Sequence, residues 1–309
     1  MSDARSHYQR LIKAVEAMPA LATAVVHPCD EVSLAGALQA AAHNLIAPVL
    51  VGPPRRIAAA AEAVGADISA LPLIASEHSH DSAAKAVALA REGKVGALMK
   101  GSLHTDEVLS AVLDRNTGIR TERRLSHCFV MDVPRHEEPL IISDAAINIV
   151  PDLAAKADIT QNAIDLAHAL RFAEVRVAVL SAMEVVNPKV PSTLDAAALC
   201  KMADRRQITG ALIDGPLALD NAIDAEAARI KGVVSAVAGR ANVLIVPDLD
   251  AGNMLAKSLT FLANANAAGI VMGARVPVIL TSRADSVMVR QTSCAVAVLV
   301  ASARAGAGL

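Results

Sequence analysis

Short aliphatic runs alternate along the chain with longer stretches in which apolar residues recur every three or four positions. The first pattern reads as buried strand and the second as amphipathic helix. Arg5–Met18 predicts a helix with Tyr8, Leu11, Ile12, Val15 and Met18 on one face. Leu21–Val26 predicts a strand ending at His27-Pro28-Cys29-Asp30, where Asp30 can cap a helix over Glu31–His43. Pro48–Gly52 is the next strand, closed by Pro53-Pro54, and a helix follows over Arg55–Val64. Leu71–Ile74 is a short strand, and Asp81 or Ser82 caps a helix to Glu92. Val95–Met99 is a strand, Lys100-Gly101-Ser102-Leu103-His104-Thr105 its turn, and Asp106–Leu113 the start of another helix.

The second part repeats the style. Its strands are predicted at His127–Val133, Pro139–Ser143, Arg176–Leu180, Ala211–Ile213, Val243–Val246 and Val278–Leu280. Most have a helix between them, which means βαβ units and a mostly parallel α/β sheet. The first two are separated only by the charged turn Pro134–Glu138, which predicts a hairpin and an antiparallel edge. The length suits one large or two medium α/β domains. A boundary is expected near Arg120. The apolar helix over Ser286–Ala303 is expected to pack back on the N-terminal domain. That gives a discontinuous first domain, 1–120 plus 270–309, and a second over 121–269.

Bulk properties narrow the function. The 309 residues carry a formal net charge of −2, and aromatic residues make up 1%. Nucleic-acid surfaces need basic patches and stacking rings, so no nucleic-acid partner is expected. Hydrophobic residues reach 54%, spread as Ala, Val, Leu and Ile without an uninterrupted run that would span a bilayer. The polar start, Met1–Tyr8, lacks the apolar core of a signal peptide. Cys29, Cys128, Cys200 and Cys294 lie far apart with no CxxC spacing. No disulfide framework or zinc site is expected, and the default is a reduced, cytoplasmic, membrane-free setting.

In open α/β sheets ligands sit beyond the carboxyl ends of the strands. Those exits are polar here. Val95–Met99 is followed by Lys100, Gly101, Ser102, His104 and Thr105; Pro139–Ser143 by Asp144 and Asn148. Arg176–Leu180 leads to Ser181, Glu184 and Asn187, Ala211–Ile213 to Asp214-Gly215-Pro216, and Val243–Val246 to Asp248, Asp250, Gly252 and Asn253. The sharpest exit is Thr281-Ser282-Arg283-Ala284-Asp285-Ser286, a polar turn between strand and helix. Such a turn offers free N–H groups to an anion. Arg283 can clamp a phosphate through two parallel hydrogen bonds. Ser282 can donate to a developing charge, and Asp285 can accept a proton. Each residue also has a plain structural reading. Asp144, Asp248, Asp285 and Ser286 are ordinary helix caps, Gly101 and Gly252 ordinary turn residues, and His104 an ordinary helix start. The chain has no GxxxxGK[ST] loop, no GxGxxG after the first strand and no GxSxG elbow.

Taken in order, Met99-Lys-Gly-Ser-Leu-His-Thr105, Ser143-Asp-Ala-Ala-Ile-Asn148, Asp214-Gly-Pro-Leu217, Pro247-Asp-Leu-Asp-Ala-Gly-Asn253 and Thr281–Ser286 resemble the phosphate acetyltransferase/phosphate butyryltransferase family. The resemblance implies a fold like that of the isocitrate and isopropylmalate dehydrogenases. That means two doubly wound α/β domains with a cleft between them, and a homodimer formed through the second domain. It implies the reaction acyl-CoA + phosphate ⇌ acyl phosphate + CoA, with acetyl-CoA or butyryl-CoA as acyl donor, no metal and no cofactor other than coenzyme A as substrate; Ser282–Ser286 and Lys100–Thr105 look closer to the butyryltransferase side. In that reading Ser282, Arg283 and Asp285 are catalytic. Lys100, Gly101, His104, Thr105, Asp144, Asn148, Asp248, Gly252, Asn253 and Ser286 bind substrate. Two departures stand out. The acetyltransferase branch carries a later Asp where this chain has Val289, which makes Asp285 the candidate base. It also carries an Arg after the Gly101-type loop, which Asp106–Leu113 lacks; Lys100 or His104 is the expected replacement. Rival readings are an NAD(P)-dependent decarboxylating dehydrogenase of the same fold, an acyltransferase taking its acyl group from a carrier protein, and a non-catalytic CoA or acyl phosphate binder. The dehydrogenases pair a Tyr with a Lys, whereas the single tyrosine here is Tyr8 in the first helix.

Overall fold

A computed structural model of the chain describes residues 7–134, 136–281 and 285–307. It divides into two compact units, Met1–Arg123 with Ala268–Leu309, and Arg124–Ala267. The first unit begins with α1 (His7–Val15), β1 (Leu21–Val26), α2 (Glu31–Ala42), β2 (Ile46–Gly52) and α3 (Pro54–Ala63). It continues with β3 (Leu73–Ala75), α4 (Ser79–Arg91), β4 (Ala97–Lys100) and α5 (Thr105–Leu113). The second unit holds β5 (Ser126–Asp132), β6 (Leu140–Ser143), α6 (Leu153–Ala169), β7 (Arg176–Leu180) and α7 (Pro191–Asp204). Then come β8 (Leu212–Leu217), α8 (Leu219–Ile223), α9 (Ala225–Ile230), β9 (Val243–Ile245) and α10 (Leu249–Leu262). The chain returns to the first unit through β10 (Asn266–Met272), β11 (Val278–Ile279) and α11 (Val287–Ala307).

In the first unit the strand order is β3-β2-β1-β4-β11-β10. All neighbours there are parallel except β10 against β11. Val25, Val26, Leu50, Val51 and Leu98 are fully buried. Strands covered by helices on both faces read as continuous aliphatic runs, which is why this part of the sequence was so legible. The chain winds from β1 outward to β2 and β3, then crosses to β4 on the other side of β1. That reversal puts a crevice at the carboxyl ends of β1 and β4. In the second unit the order is β5-β6-β9-β7-β8, with β5 and β6 antiparallel and the others parallel. The expected hairpin is therefore present.

Two strands differ from expectation. The strand expected at Ala211–Ile213 runs on to Leu217, so Asp214, Gly215 and Pro216 lie inside β8 and not beyond its end. The partner strand β7 absorbs this with a register shift between Ala178 and Leu180. β10 is a strand where the sequence predicts none, because Asn264-Ala-Asn-Ala-Ala-Gly269 has the small and polar composition of a loop. α11 packs on α1 and α2 within its own unit. It is long and apolar enough to cross a bilayer, but it is mostly buried inside the protein.

Candidate active site

The crevice in the first unit is a pocket whose lining includes Asp30, Ser33, Lys100, Gly101, Thr281 and Arg290. They come from four parts of the winding: the β1 exit with the start of α2, the β4 exit, the residues after β11, and α11. Asp30 leaves β1 and caps α2, accepting the Ser33 N–H at 2.8 Å. Ser33 turns its hydroxyl back to the Asp30 carbonyl at 3.2 Å. Lys100 ends β4, and Thr281 follows the carboxyl end of β11. Gly101 is required by close approach. A Cβ there would sit 2.5 Å from the Val26 carbonyl oxygen and 2.7 Å from that of His27. The chain at Lys100-Gly101 is thereby pressed against the end of β1, with Gly101 N–H donating to Val26 O at 2.9 Å.

His27 anchors the same strand end from behind. Its backbone is left-handed, φ 56°. Its carbonyl accepts both the N–H and the hydroxyl of Ser102, each at 2.9 Å. Its Nδ1 lies 2.8 Å from Ser82 Oγ, which is 2.7 Å from Ser76 Oγ. Arg56 Nη1 lies 3.3 Å from its Nε2. An arginine can only donate, so Nε2 accepts and Nδ1 carries the proton. Burial first, and then the Arg56 charge, hold the His27 pKa below its ordinary value. Burial also pushes the nearby Cys29 thiol up to about 11, and those of Cys128, Cys200 and Cys294 up to about 12. None of the four is a thiolate nucleophile at neutral pH.

His104 and Thr105 do not line this pocket. His104 caps α5 and is exposed; its N–H donates to Glu107 Oε2 at 2.7 Å. Thr105 is the first residue of that helix.

A second group of anticipated residues meets in the second unit. Asp144 leaves β6, and its carboxylate accepts the N–H groups of Ala146, Ile147 and Asn148 at 2.9 to 3.1 Å. The Asn148 side chain binds the same carboxylate and also donates to Leu125 O at 2.9 Å. Asp248 caps α10 through Ala251 N–H at 2.9 Å, and Gly252 N–H donates to Asp248 O. Asn253 donates to Ala145 O at 3.3 Å. These five residues build a rigid joint between the β6 exit and the start of α10. His127 on β5 is buried beside it, with Nδ1 unpartnered among the described residues. Burial drives its pKa down to about 4, against a smaller opposing pull from Asp144.

Ser282 and Arg283 lie outside the described residues. Asp285 is half-buried. Ser286 opens α11, its hydroxyl accepting Val289 N–H at 3.3 Å. The residue that the sequence reading missed is Arg290. It sits in the first turn of α11, between Val289 and Gln291, with no local motif, and the residues that line the pocket with it come from remote segments. Among the described residues no three His, Cys, Asp or Glu side chains converge as a metal site would require.

The sequence profile described as Phosphate acetyl/butaryl transferase matches residues 69–298. The phosphate acetyltransferase of Rhizobium meliloti is 60% identical over 302 residues, 98% of this chain and 96% of that protein. The phosphate butyryltransferase of Clostridium acetobutylicum is 38% identical over 95% of this chain and 98% of its own. A solved branched-chain phosphotransacylase from Enterococcus faecalis superposes with a TM-score of 0.79 at 28% identity, covering 91% of this chain and 99% of that one. The chain therefore belongs to the phosphate acetyl/butaryl transferase family and is an acyltransferase of that family.

Proposed function

We propose that the protein interconverts acetyl-CoA plus phosphate with acetyl phosphate plus CoA. The observation that carries the acetyl assignment is the 60% identity, nearly end to end, with a phosphate acetyltransferase, against 38% with a butyryltransferase. The pocket at the β1/β4 reversal, at the strand exits and lined by Asp30, Ser33, Lys100, Gly101, Thr281 and Arg290, is in keeping with a small polar substrate. Toward acetyl-CoA, Asp285 takes the proton of the CoA thiol, and the thiolate attacks the acyl carbon of acetyl phosphate. The tetrahedral oxyanion forms, the C–O bond to phosphate breaks, and phosphate departs with its electron pair. Ser282 donates to the oxyanion and Arg283 holds the phosphate. Coenzyme A enters as a substrate, and orientation of the two reactants supplies much of the rate. The working unit in this reading is a homodimer. Four free thiols support a reducing compartment, and we place the enzyme in the cytoplasm.

The test is phosphate-dependent release of CoA, followed with a thiol reagent, from acetyl-, propionyl- and butyryl-CoA in parallel. The fastest release is expected from acetyl-CoA. A higher kcat/KM for butyryl-CoA would reverse the chain-length assignment, and no release from any thioester would sink the reaction. Ser282→Ala and Arg283→Ala are each expected to lower kcat by about 100-fold or more. An Asp285→Asn enzyme that keeps its full rate would remove Asp285 from proton transfer.

A further inference from the structure

Glu107 is tied to more than its own helix. It stands in the first turn of α5, and only 11% of its side chain is exposed. A carboxylate so far out of water is costly unless hydrogen bonds satisfy it. Its Oε2 accepts the N–H of His104, the residue that caps α5, at 2.7 Å. That bond belongs to an ordinary helix start. The other oxygen reaches a different element. Oε1 accepts the hydroxyl of Ser79, the first residue of α4, and His80 Nε2 lies 3.4 Å from it. Burial pushes the Glu107 pKa up, but these hydrogen bonds and the nearby His80 and His104 rings outweigh it and hold the group below the ordinary glutamate range. Glu107 is therefore a carboxylate at neutral pH, and it joins the first turns of two helices that pack on each other.

The turn between β4 and α5 leads back to α4 from both of its halves. Ser102 gives its N–H and its hydroxyl to His27 O, and His27 Nδ1 lies 2.8 Å from Ser82 Oγ in the first turn of α4. Leu103 is buried. His104 gives its N–H to Glu107, which holds Ser79. At the head of this turn Lys100 and Gly101 line the pocket. We propose that Glu107 is a positioning residue of the reaction: it fixes the Lys100–His104 turn to the start of α4 and so sets the pocket wall that Lys100 and Gly101 supply. This rests on the reaction proposed above. Glu107 is not part of the pocket lining, so it acts through the turn and not on a reactant. Reactions that depend on orienting two substrates are sensitive to small displacements of the groups that line the site.

The experiment measures kcat/KM for phosphate and for acetyl-CoA, with the thermal midpoint, in the wild type, Glu107→Ala, Glu107→Gln and Ser79→Ala. Rates are taken well below every midpoint, where all of the enzyme is folded. Glu107→Ala can rebuild neither bond and is expected to lower kcat/KM about 10- to 100-fold. Ser79→Ala loses one bond and should cost a smaller factor. In Glu107→Gln the carbonyl can accept the His104 N–H and the amide can donate to Ser79 Oγ, so the rate should stay within about threefold of the wild type. Asp224→Ala is the control for lost stability alone. It removes a helix cap in the second unit, where Asp224 accepts the Ala227 N–H at 2.8 Å, and should lower the midpoint without lowering the rate. A Glu107→Ala enzyme at full rate would overturn the inference. So would a Glu107→Gln enzyme as slow as Glu107→Ala, because the bonds to His104 and Ser79 would then not be what matters. If Glu107→Ala does not fold, Ser79→Ala carries the test, and a full rate there overturns the inference. Hydrogen exchange of the amides of residues 101–104 separates the anchor from the reaction. They should exchange faster in Glu107→Ala and Ser79→Ala and not in Asp224→Ala. That result upholds the anchor even if the wild type releases no CoA, which would sink the reaction alone. Unchanged exchange in both variants refutes the anchor whether or not the wild type turns over.

Discussion

His27 and Gly101 fix the pocket at the scale of single residues, and each makes a testable demand. His27 is neutral in the fold because burial and Arg56 both oppose its proton. Its pKa is therefore lower folded than unfolded. The unfolded chain takes up a proton near pH 6.5 that the folded chain refuses. Stability is thus fully present above pH 6.5 and is lost as pH falls toward the folded value. One such group changes stability by at most about 1.4 kcal/mol per pH unit. His127, also lowered, adds a loss of the same sign. Asparagine tolerates the left-handed backbone that His27 uses. The urea midpoint of His27→Asn should therefore fall less steeply than that of the wild type between pH 6.5 and 5. Parallel curves would mean that His27 does not titrate in this window. Gly101→Ala places a methyl against two backbone carbonyls that cannot rotate away. It is expected to cost about 1–3 kcal/mol in chemical denaturation. Because the strain is relieved by moving the Lys100 turn, it should also raise the phosphate KM.

At the scale of elements, the clearest energetic claim concerns α6 and α7. Lys156 on α6 has only 6% of its side chain exposed, and its Nζ lies 2.6 Å from Asp195 Oδ2 on α7. Removing the carboxylate leaves a buried ammonium without its partner. Asp195→Ala is expected to destabilise the protein by about 3 kcal/mol, the low end for a buried pair because Asp195 is partly exposed. Replacing both partners with apolar residues should cost far less, and a double-mutant cycle in urea would measure the difference. Elements such as these were legible in the sequence where the signal was local. Asp30 and Asp248 cap the helices expected of them, and Pro134–Glu138 joins an antiparallel pair. What was hidden depended on partners far along the chain. β10 looks like a loop until β11 pairs with it. Arg290 carries no motif, and its place in the pocket lining depends on a remote residue, Gly36 on α2, leaving room for its stem.

The whole molecule raises the question of what covers α10. Met254, Phe261 and Leu262 recur at the seven- and eight-residue spacing of one helical face, and they are 62%, 78% and 84% exposed. Ile149 and Val150, 71% and 83% exposed, stand near the start of the same helix, where Leu249 N–H donates to Ile149 O. Scattered apolar residues on a surface are ordinary, but a clustered set on one helix is the kind of patch that another chain covers. The proposed homodimer gives it a use, since a two-fold axis lets the same face on both copies bury itself. Placing aspartates at Phe261 and Leu262 sets like charges against each other across such an interface while leaving the buried side of α10, Gly252 and Ala256, untouched. The wild type should sediment at twice the mass of the chain, with unfolding that shifts to higher temperature at higher protein concentration. The double variant should sediment as a single chain and lose that concentration dependence. A wild type that stays monomeric across the concentration range would exclude the homodimer. A variant that stays dimeric would move the interface away from α10 and leave its apolar face for some other contact.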